Sequence, residues 1–322
     1  MKFYFAPLEG ITGYIYRNAH ATFFPQVDKY FTPFIAANQH GKLSSRELND
    51  ILPEHNKGLV VIPQILTNNA EDFIRTMHQL KAYGYDEINL NLGCPSGTVV
   101  AKNKGSGFLT QKEALDAFLD TVFENAISKI SIKTRIGKDV PEEFEDILAI
   151  YNQYPLEELI IHPRVQKDYY RNTPNLDVFE MAVVESKNPV VYNGDIFTAK
   201  QLTALHKRFP EMQTLMLGRG LIANPGLAEE ITTSHTLNKI TLKAFHDKLF
   251  HDYTEVLSGE RNVLFKMKES WFYMGHIFSN FEKYGKKIRK AQHFKDYELA
   301  ITQLFEEQNI LEGAGLFSSQ GI

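Results

Sequence analysis

Residues 87–107, EINLNLGCPSGTVVAKNKGSG, decide how the chain is read. Ile88, Asn89, Leu90, Asn91 and Leu92 alternate apolar with polar, and that period of two marks a strand. Two asparagines on one face of a strand are unusual in a core, because buried amides must find partners. The run stops at Gly93-Cys94-Pro95, and a loop with Lys102, Lys104 and Gly105-Ser106-Gly107 follows. Cys94 is the single cysteine, so no intramolecular disulfide can form. Taken alone, a lone cysteine reads as a small buried apolar residue and a Gly-x-Gly as a plain loop. A Cys-Pro at a strand end, preceded by in-facing amides, is poorly explained by packing. Strand ends are where barrel and open-sheet enzymes place their chemistry.

Outward from this stretch, the first two-thirds of the chain repeats one unit: a short β-rich run, a loop, then an amphipathic stretch. The runs are 3–6, 29–33, 60–66, 88–92, 130–133, 159–162, 190–193 and 214–217. Between them, 69–83 puts Phe73, Met77 and Leu80 on one helical face, and 111–125 does the same with Leu115, Phe118 and Val122. Strands alternating with helices imply a parallel sheet. Eight units in about 230 residues suit a TIM (β/α)8 barrel. A doubly wound sheet would have a glycine-rich turn after its first strand, and this chain has Ala6-Pro7-Leu8-Glu9-Gly10 there. The expected organisation is an α/β barrel over 1–233, an all-helical domain over 234–312 and a flexible Gly/Ser-rich tail over 313–322.

The helical part reads from 242–257, 262–278 and 294–304. It concentrates Arg261, Lys266, Lys268, Lys283, Lys286, Lys287, Arg289, Lys290 and Lys295 among Trp271, Phe272, Tyr273, Phe281 and Tyr284. Such a stretch is either a helix bundle with a solvated lysine face, or a basic surface for RNA with aromatics for stacking. The formal charge of the whole 322-residue chain is −4, so any nucleic-acid contact must come from a local patch. With 43% hydrophobic and 23% charged residues, composition is that of a soluble globular protein. No run reaches the roughly 20 apolar residues of a membrane span, and the N-terminus is too short in apolar residues for a signal peptide. A cytoplasmic monomer without membrane or metal partner is expected.

In a barrel all eight strand ends converge on one site. Here they carry Pro7, Gln64, Asn91 and Cys94, Lys133-Thr134-Arg135, His162-Pro163-Arg164, Asn193-Gly194-Asp195 and Gly218-Arg219-Gly220. A ring of polar and cationic side chains on apolar strands is hard to explain as structure. Gly194 and Gly218 let backbone N–H groups approach an anion, and Arg219 can fork onto a phosphate, although tight βα turns alone would also use both glycines. Lys133 needs a negative or electron-rich partner, because an unpaired buried ammonium is costly. His162 has no second His or Cys at metal-ligand spacing and is read as a hydrogen-bond donor.

These motifs, in this order, resemble the tRNA-dihydrouridine synthases. NLNLGCPS resembles that family's active-site signature. Ala6, Pro7, Gly10 and Arg17 resemble its opening, Pro63-Gln64-Ile65, Lys133-Thr134-Arg135-Ile136-Gly137 and His162-Pro163-Arg164 followed by Tyr169 its later blocks, and Asn193-Gly194-Asp195 with Gly218-Arg219-Gly220 its phosphate loops. The resemblance runs from residue 3 to about 225. It implies FMN held by Pro7, Gln64, Lys133, His162, Asn193, Gly194, Asp195, Gly218 and Arg219. It also implies Asn91 on the target uracil and Cys94 as proton donor. Leu8-Glu9, Gly13-Tyr14 and Thr32-Pro33-Phe34 depart from the usual pattern and blur the subfamily.

The expectation is therefore an FMN enzyme reduced by NADPH (or NADH) that reduces uridines of tRNA. Arg135 joins Asn91 at the uracil edge, and Lys102 and Lys104 meet RNA phosphate or carry their loop over the base. A thiol, with a reference pKa near 8.5, holds a proton to give at neutral pH. Two other readings stay open: an FMN barrel acting on a free pyrimidine, and a tRNA-binding protein that has lost catalysis.

Overall fold

Each β-rich run forms a strand, the run 60–66 breaks in the middle, and a further short strand follows the run 29–33. The computed structural model describes residues 1–315. Its strands are β1 (Lys2–Phe5), β2 (Lys29–Phe31), β3 (Ile35–Ala36), β4 (Val61–Ile62), β5 (Gln64–Leu66), β6 (Glu87–Leu92), β7 (Lys129–Arg135), β8 (Leu159–His162), β9 (Val190–Tyr192) and β10 (Thr214–Leu217). They lie in the order β3-β5-β6-β7-β8-β9-β10-β1-β2-β4. β4 and β5 are halves of one run interrupted at Pro63, which has no N–H for the ladder. β4 pairs with β2, and β5 pairs with β6, both in parallel. One run thus lies beside β6 through one half and beside β2 through the other, which closes the sheet into an eight-stave parallel barrel. At the break, Gln64 N donates to Thr32 Oγ1 (3.1 Å), so a side chain replaces the missing backbone bond.

Tyr4, Ala6, Phe31, Ile62, Ile160, Val191 and Met216 form an apolar cluster inside the barrel. Ile160 lies beside Lys133 in the β7–β8 register. By strand alternation Ser131, Lys133 and Arg135 therefore share the inner face. Asn89 lies beside Ser131, and Asn91 beside Lys133, so the asparagines point inward too. At the opposite end of the interior Lys29 Nζ bridges Glu87 (2.7 Å) and Glu158 (3.2 Å), and Tyr4 OH donates to Glu158. Buried charges are retained there because each has a partner.

The predicted helices 69–83 and 111–125 form as Ala70–Ala82 and Lys112–Glu124, with Phe73, Met77, Leu80, Leu115, Phe118 and Val122 buried as read. Asn69 caps the first by accepting from Asp72 N (2.8 Å). After the barrel strands the named elements of the described residues are all helices, the longest being Lys239–Val256, Glu260–Met274, Phe281–Lys290 and Phe294–Glu307. Helix Phe281–Lys290 had no counterpart among the predicted segments.

The chain divides into two compact units that are discontinuous in sequence. The first comprises Met1–Pro7, Lys29–Gly194 and Met212–Met216, and so holds the sheet. The second comprises Leu8–Asp28, Asp195–Glu211 and the chain from Leu217 on. In this second unit the helix Tyr14–Phe23 packs with Lys239–Val256, where Tyr16 and Phe24 set their rings on Phe245 at 5.7 and 5.6 Å. Most of the predicted tail, 316–322, lies outside the described residues. Ala314 is buried, and a Cβ on Gly315 would fall 2.2 Å from the Phe197 carbonyl. Among the described residues no helix is long and apolar enough to cross a membrane.

Candidate active site

The inward amides of the first unit form a ladder. Asn91 Oδ1 accepts from the N–H groups of Gly93 (3.0 Å) and Cys94 (2.9 Å). That fixes which end of the Asn91 amide is oxygen, so its Nδ2 must donate, and it does so to Gln64 Oε1 (2.7 Å). Gln64 Nε2 donates in turn to Asn89 Oδ1 (2.7 Å), and Asn89 Nδ2 to Ser131 Oγ (3.0 Å). Gln64, Asn89 and Ser131 are fully buried, so each rung would be costly to break.

The ladder ends on the Cys94 loop, which a second set of contacts closes. The Cys94 carbonyl accepts from Ser106 N (3.1 Å) and Ser106 Oγ (2.8 Å). Gly105 has φ +56°, and a Cβ there would sit 2.8 Å from Cys94 O and 2.9 Å from Cys94 Cβ. Only glycine allows both the left-handed backbone and that approach. Cys94 itself is half-buried. Lys102 is exposed, its carbonyl accepting from Asn68 Nδ2 (3.2 Å), and Lys104 is half-buried.

Arg135 does not present its fork to the site. It is 1% exposed, and its Nε, Nη1 and Nη2 donate to the carbonyls of Gly93 (3.0 Å), Val165 (2.8 Å) and Tyr169 (2.6 Å). It ties the Cys94 loop to the loop after β8. Burial pulls it down to about 10, with the Tyr170 and Asp168 charges opposing and Arg164 assisting, so it stays cationic at neutral pH. The expected uracil contact is thus a backbone staple in this structure. Sequence alone hides this, because the three carbonyls lie 30 or more residues from Arg135.

Lys133 behaves differently. It is half-buried on the inner face, and among the described residues it makes no hydrogen bond or ion pair. Burial lowers it to about 7, and the Arg135 charge adds to this, while Cys94 opposes it. At the end of β8, Arg164 Nη1 lies 3.0 Å from His162 Nε2. Guanidinium only donates, so Nε2 accepts and Nδ1 is the donor nitrogen of His162. The Tyr170 ring lies 6.2 Å from the His162 ring and 5.6 Å from the Arg135 guanidinium. Tyr170, 53% exposed, was not among the predicted site residues; its neighbour Tyr169 entered only as part of the motif quoted above. Asn193 donates to Met216 O (2.8 Å), and Gly194 packs on Tyr192 where a Cβ would overlap the phenol. Pro7 is half-buried at the end of β1.

The remaining predicted residues belong to the second unit. Arg219, the first residue of the short helix Arg219–Ala223 after Gly218, pairs with Asp195 (2.5 Å) and lies over the Phe197 ring (5.4 Å).

A closed parallel barrel with a clamped thiol at its strand ends, and a lysine there that has no partner among the described residues, has the layout of a barrel enzyme, whose chemistry sits at the C-terminal mouth. The chain belongs to the dihydrouridine synthase family, whose sequence pattern matches residues 4–319. It is therefore an oxidoreductase. It is 26% identical over 267 residues to a probable tRNA-dihydrouridine synthase of Staphylococcus aureus (strain Mu50 / ATCC 700699), covering 78% of each chain. A probable tRNA-dihydrouridine synthase of Helicobacter pylori (strain ATCC 700392 / 26695) is 27% identical over 232 residues, 70% of this chain and 65% of that one. Morphinone reductase shares the fold, with a TM-score of 0.52 at 13% identity over 76% of this chain and 88% of that one. Its complex with tetrahydroNAD matches at 0.53, also at 13% identity, over 76% and 90%.

Proposed function

We propose that the protein reduces the C5–C6 bond of uridines in tRNA, with FMN as hydride carrier and NADPH or NADH as reductant. The observation that carries this reading is Lys133, an inward lysine with no hydrogen-bond or ion-pair partner among the described residues, in register with Asn91 and close enough to Cys94 for their charges to interact. Such a cation fits the electron-rich edge of a flavin ring and would stabilise its anionic reduced form. Bound FMN would supply a hydride for uracil C6. Pro7, Lys133, His162, Asn193 and Gly194 would hold it from the first unit, with Gln64 acting through Asn91. Gly218 and Arg219 of the second unit are proposed for its phosphate, with Asp195 orienting Arg219.

Cys94 would give its proton to C5, so that hydride and proton together saturate the bond. Neighbouring Lys133 and Arg135 would favour the thiolate left behind, which water then reprotonates. Asn91 holds the thiol's loop and stands next to the uracil. Arg135 positions that loop. Lys102, Lys104 and the helices over 234–312 are proposed to take RNA phosphate, and the target base must leave its stack to be reached.

The test is a visible spectrum of the purified protein, then anaerobic bleaching with NADPH and reoxidation by unmodified tRNA or by free uracil. Rapid reoxidation by tRNA alone is expected. Reoxidation by the free base alone, or a colourless protein that takes up no FMN, overturns the reading. Lys133 adds a second readout. At pH 8 it is mostly neutral, and an electron-rich ring raises it again, so FMN binding should take up about one proton from weakly buffered solution. No uptake would separate Lys133 from the cofactor.

A further inference from the structure

The second unit contains an open groove of about 1030 Å³ that the proposed chemistry does not use. It runs between helices Glu260–Met274 and Phe281–Lys290. Phe265, Lys268, Glu269 and Phe272 line it from the first helix at spacings of three and four, and so stand on one helical face. Phe265 is 60% and Phe272 66% exposed, rare values for large apolar rings. Arg289, exposed on the second helix, lines the other side.

The floor is built to stay open. The Phe281 ring lies on Trp271 (6.0 Å, stacked), in a space left by two glycines. A Cβ on Gly275 would fall 2.0 Å from Phe281 Cε1, and one on Gly285 2.8 Å from it. Gly285 sits inside a helix, where glycine is unfavourable, and the ring beneath it explains its presence. The groove's two carboxylates are neutralised: Glu269 pairs with Lys266 (3.4 Å) and Glu282 with Lys286 (3.0 Å).

Charge selects the occupant. Residues 260–295 carry nine Lys or Arg against three Glu, a formal +6 in a chain of −4. Exposed rings beside such an excess of cations are the surface that single-stranded nucleic acid takes, bases on the rings and phosphates on the cations. We propose that this groove binds unpaired nucleotides of the RNA substrate, with bases stacked on Phe265 and Phe272 and a phosphate at Arg289. The two rings are separated by seven residues, about 10 Å along the helix, which suits a short single-stranded run better than one base. This inference rests on the tRNA reading above and names where on the helical region, and through which contacts, that RNA is gripped.

The test measures affinity of the flavin-loaded enzyme for unmodified tRNA and for oligouridylate at several salt concentrations. Wild type is compared with Phe265→Ala/Phe272→Ala and with Arg289→Ala. The aromatic double variant should bind about tenfold or more weakly with an unchanged salt slope. Arg289→Ala should lower the slope by about one. NADPH bleaching of the flavin should be the same in all three, which confirms an intact fold. Affinity of the double variant within about twofold of wild type overturns the proposal. So does tenfold tighter binding by a chain cut after Gly315, which would make the groove the seat of the chain's own last residues. A wild-type enzyme that binds no tRNA at all defeats the functional reading itself, and this proposal with it.

Discussion

The inner face of the barrel and the groove of the helical region solve opposite problems. Inside the barrel, the amides of Gln64, Asn89 and Asn91 have one arrangement, because Asn91 Oδ1 receives two backbone N–H groups and every rung follows from that choice. In the groove, Phe265 and Phe272 offer faces that any base can meet. The first holds the backbone of the thiol's loop in one arrangement. The second gives affinity without fixing a pose. Directional polar contacts position atoms for chemistry, and flat apolar rings tolerate variety.

That contrast can be broken at several points. Replacing the thiol should do most. In Cys94→Ala, reduction of tRNA is expected to fall about 100-fold or more while NADPH bleaches the flavin at the normal rate, as single-turnover kinetics would reveal. Equal tRNA reduction would remove Cys94 from the chemistry. Next comes Arg135→Met, which strands the buried carbonyls of Gly93, Val165 and Tyr169. A loss of about 3 kcal/mol in urea unfolding is expected, together with a changed rate of iodoacetamide reaction at the single cysteine. A loss below about 1 kcal/mol would mean the staple is dispensable.

A pH effect follows from the second unit. His20 is fully buried, its Nε2 3.1 Å from the Pro225 carbonyl. Burial draws it down to about 3, with that hydrogen bond opposing. The unfolded chain, near 6.5, binds the proton more readily, so stability is lost as pH falls below about 6.5. From pH 6.5 to 4.5 the contribution is on the order of 2 kcal/mol. In His20→Gln this part of the pH dependence should vanish from the denaturation midpoints, and an unchanged profile would assign it to other groups. The smallest effect belongs to Gly105→Ala. Its left-handed backbone and the contact with Cys94 predict about 1–2 kcal/mol of destabilisation and an altered alkylation rate. Wild-type values in both measurements would show that the loop has room to spare.

Much of the barrel was legible because a period of two is a local signal. All eight runs became strands, and inward asparagines were recognisable as odd residues for a core. What they bond to was not legible. Gln64 lies 25 residues from Asn89 and touches it only because β5 and β6 pair in parallel, with Gln64 beside Asn89. Arg135 looked like a substrate contact because sequence reveals a cation at a strand end and hides the carbonyls around it. The second unit was obscured for a similar reason. Its helix Tyr14–Phe23 carries the same amphipathic pattern as any barrel helix, and only the distant Phe245 reveals its packing. Helix Phe281–Lys290 is so rich in lysine that its apolar stripe, Tyr284 and Ile288, is short.

The seam of the barrel carries a consequence for biosynthesis. β1 is made first, yet one of its edges is covered only when Lys2 N meets the Gln213 carbonyl beside β10. At roughly 5–20 residues per second a ribosome takes on the order of 10–40 s to cover that distance. Meanwhile the nascent chain holds an unsatisfied strand edge of Phe3, Tyr4 and Phe5, a template for pairing with another chain. The helix Tyr14–Phe23 waits longer still, until Phe245 emerges. A protein whose first residues are finished by its last third should depend on chaperones while it is being translated, and should yield more soluble product when translation is fast relative to aggregation.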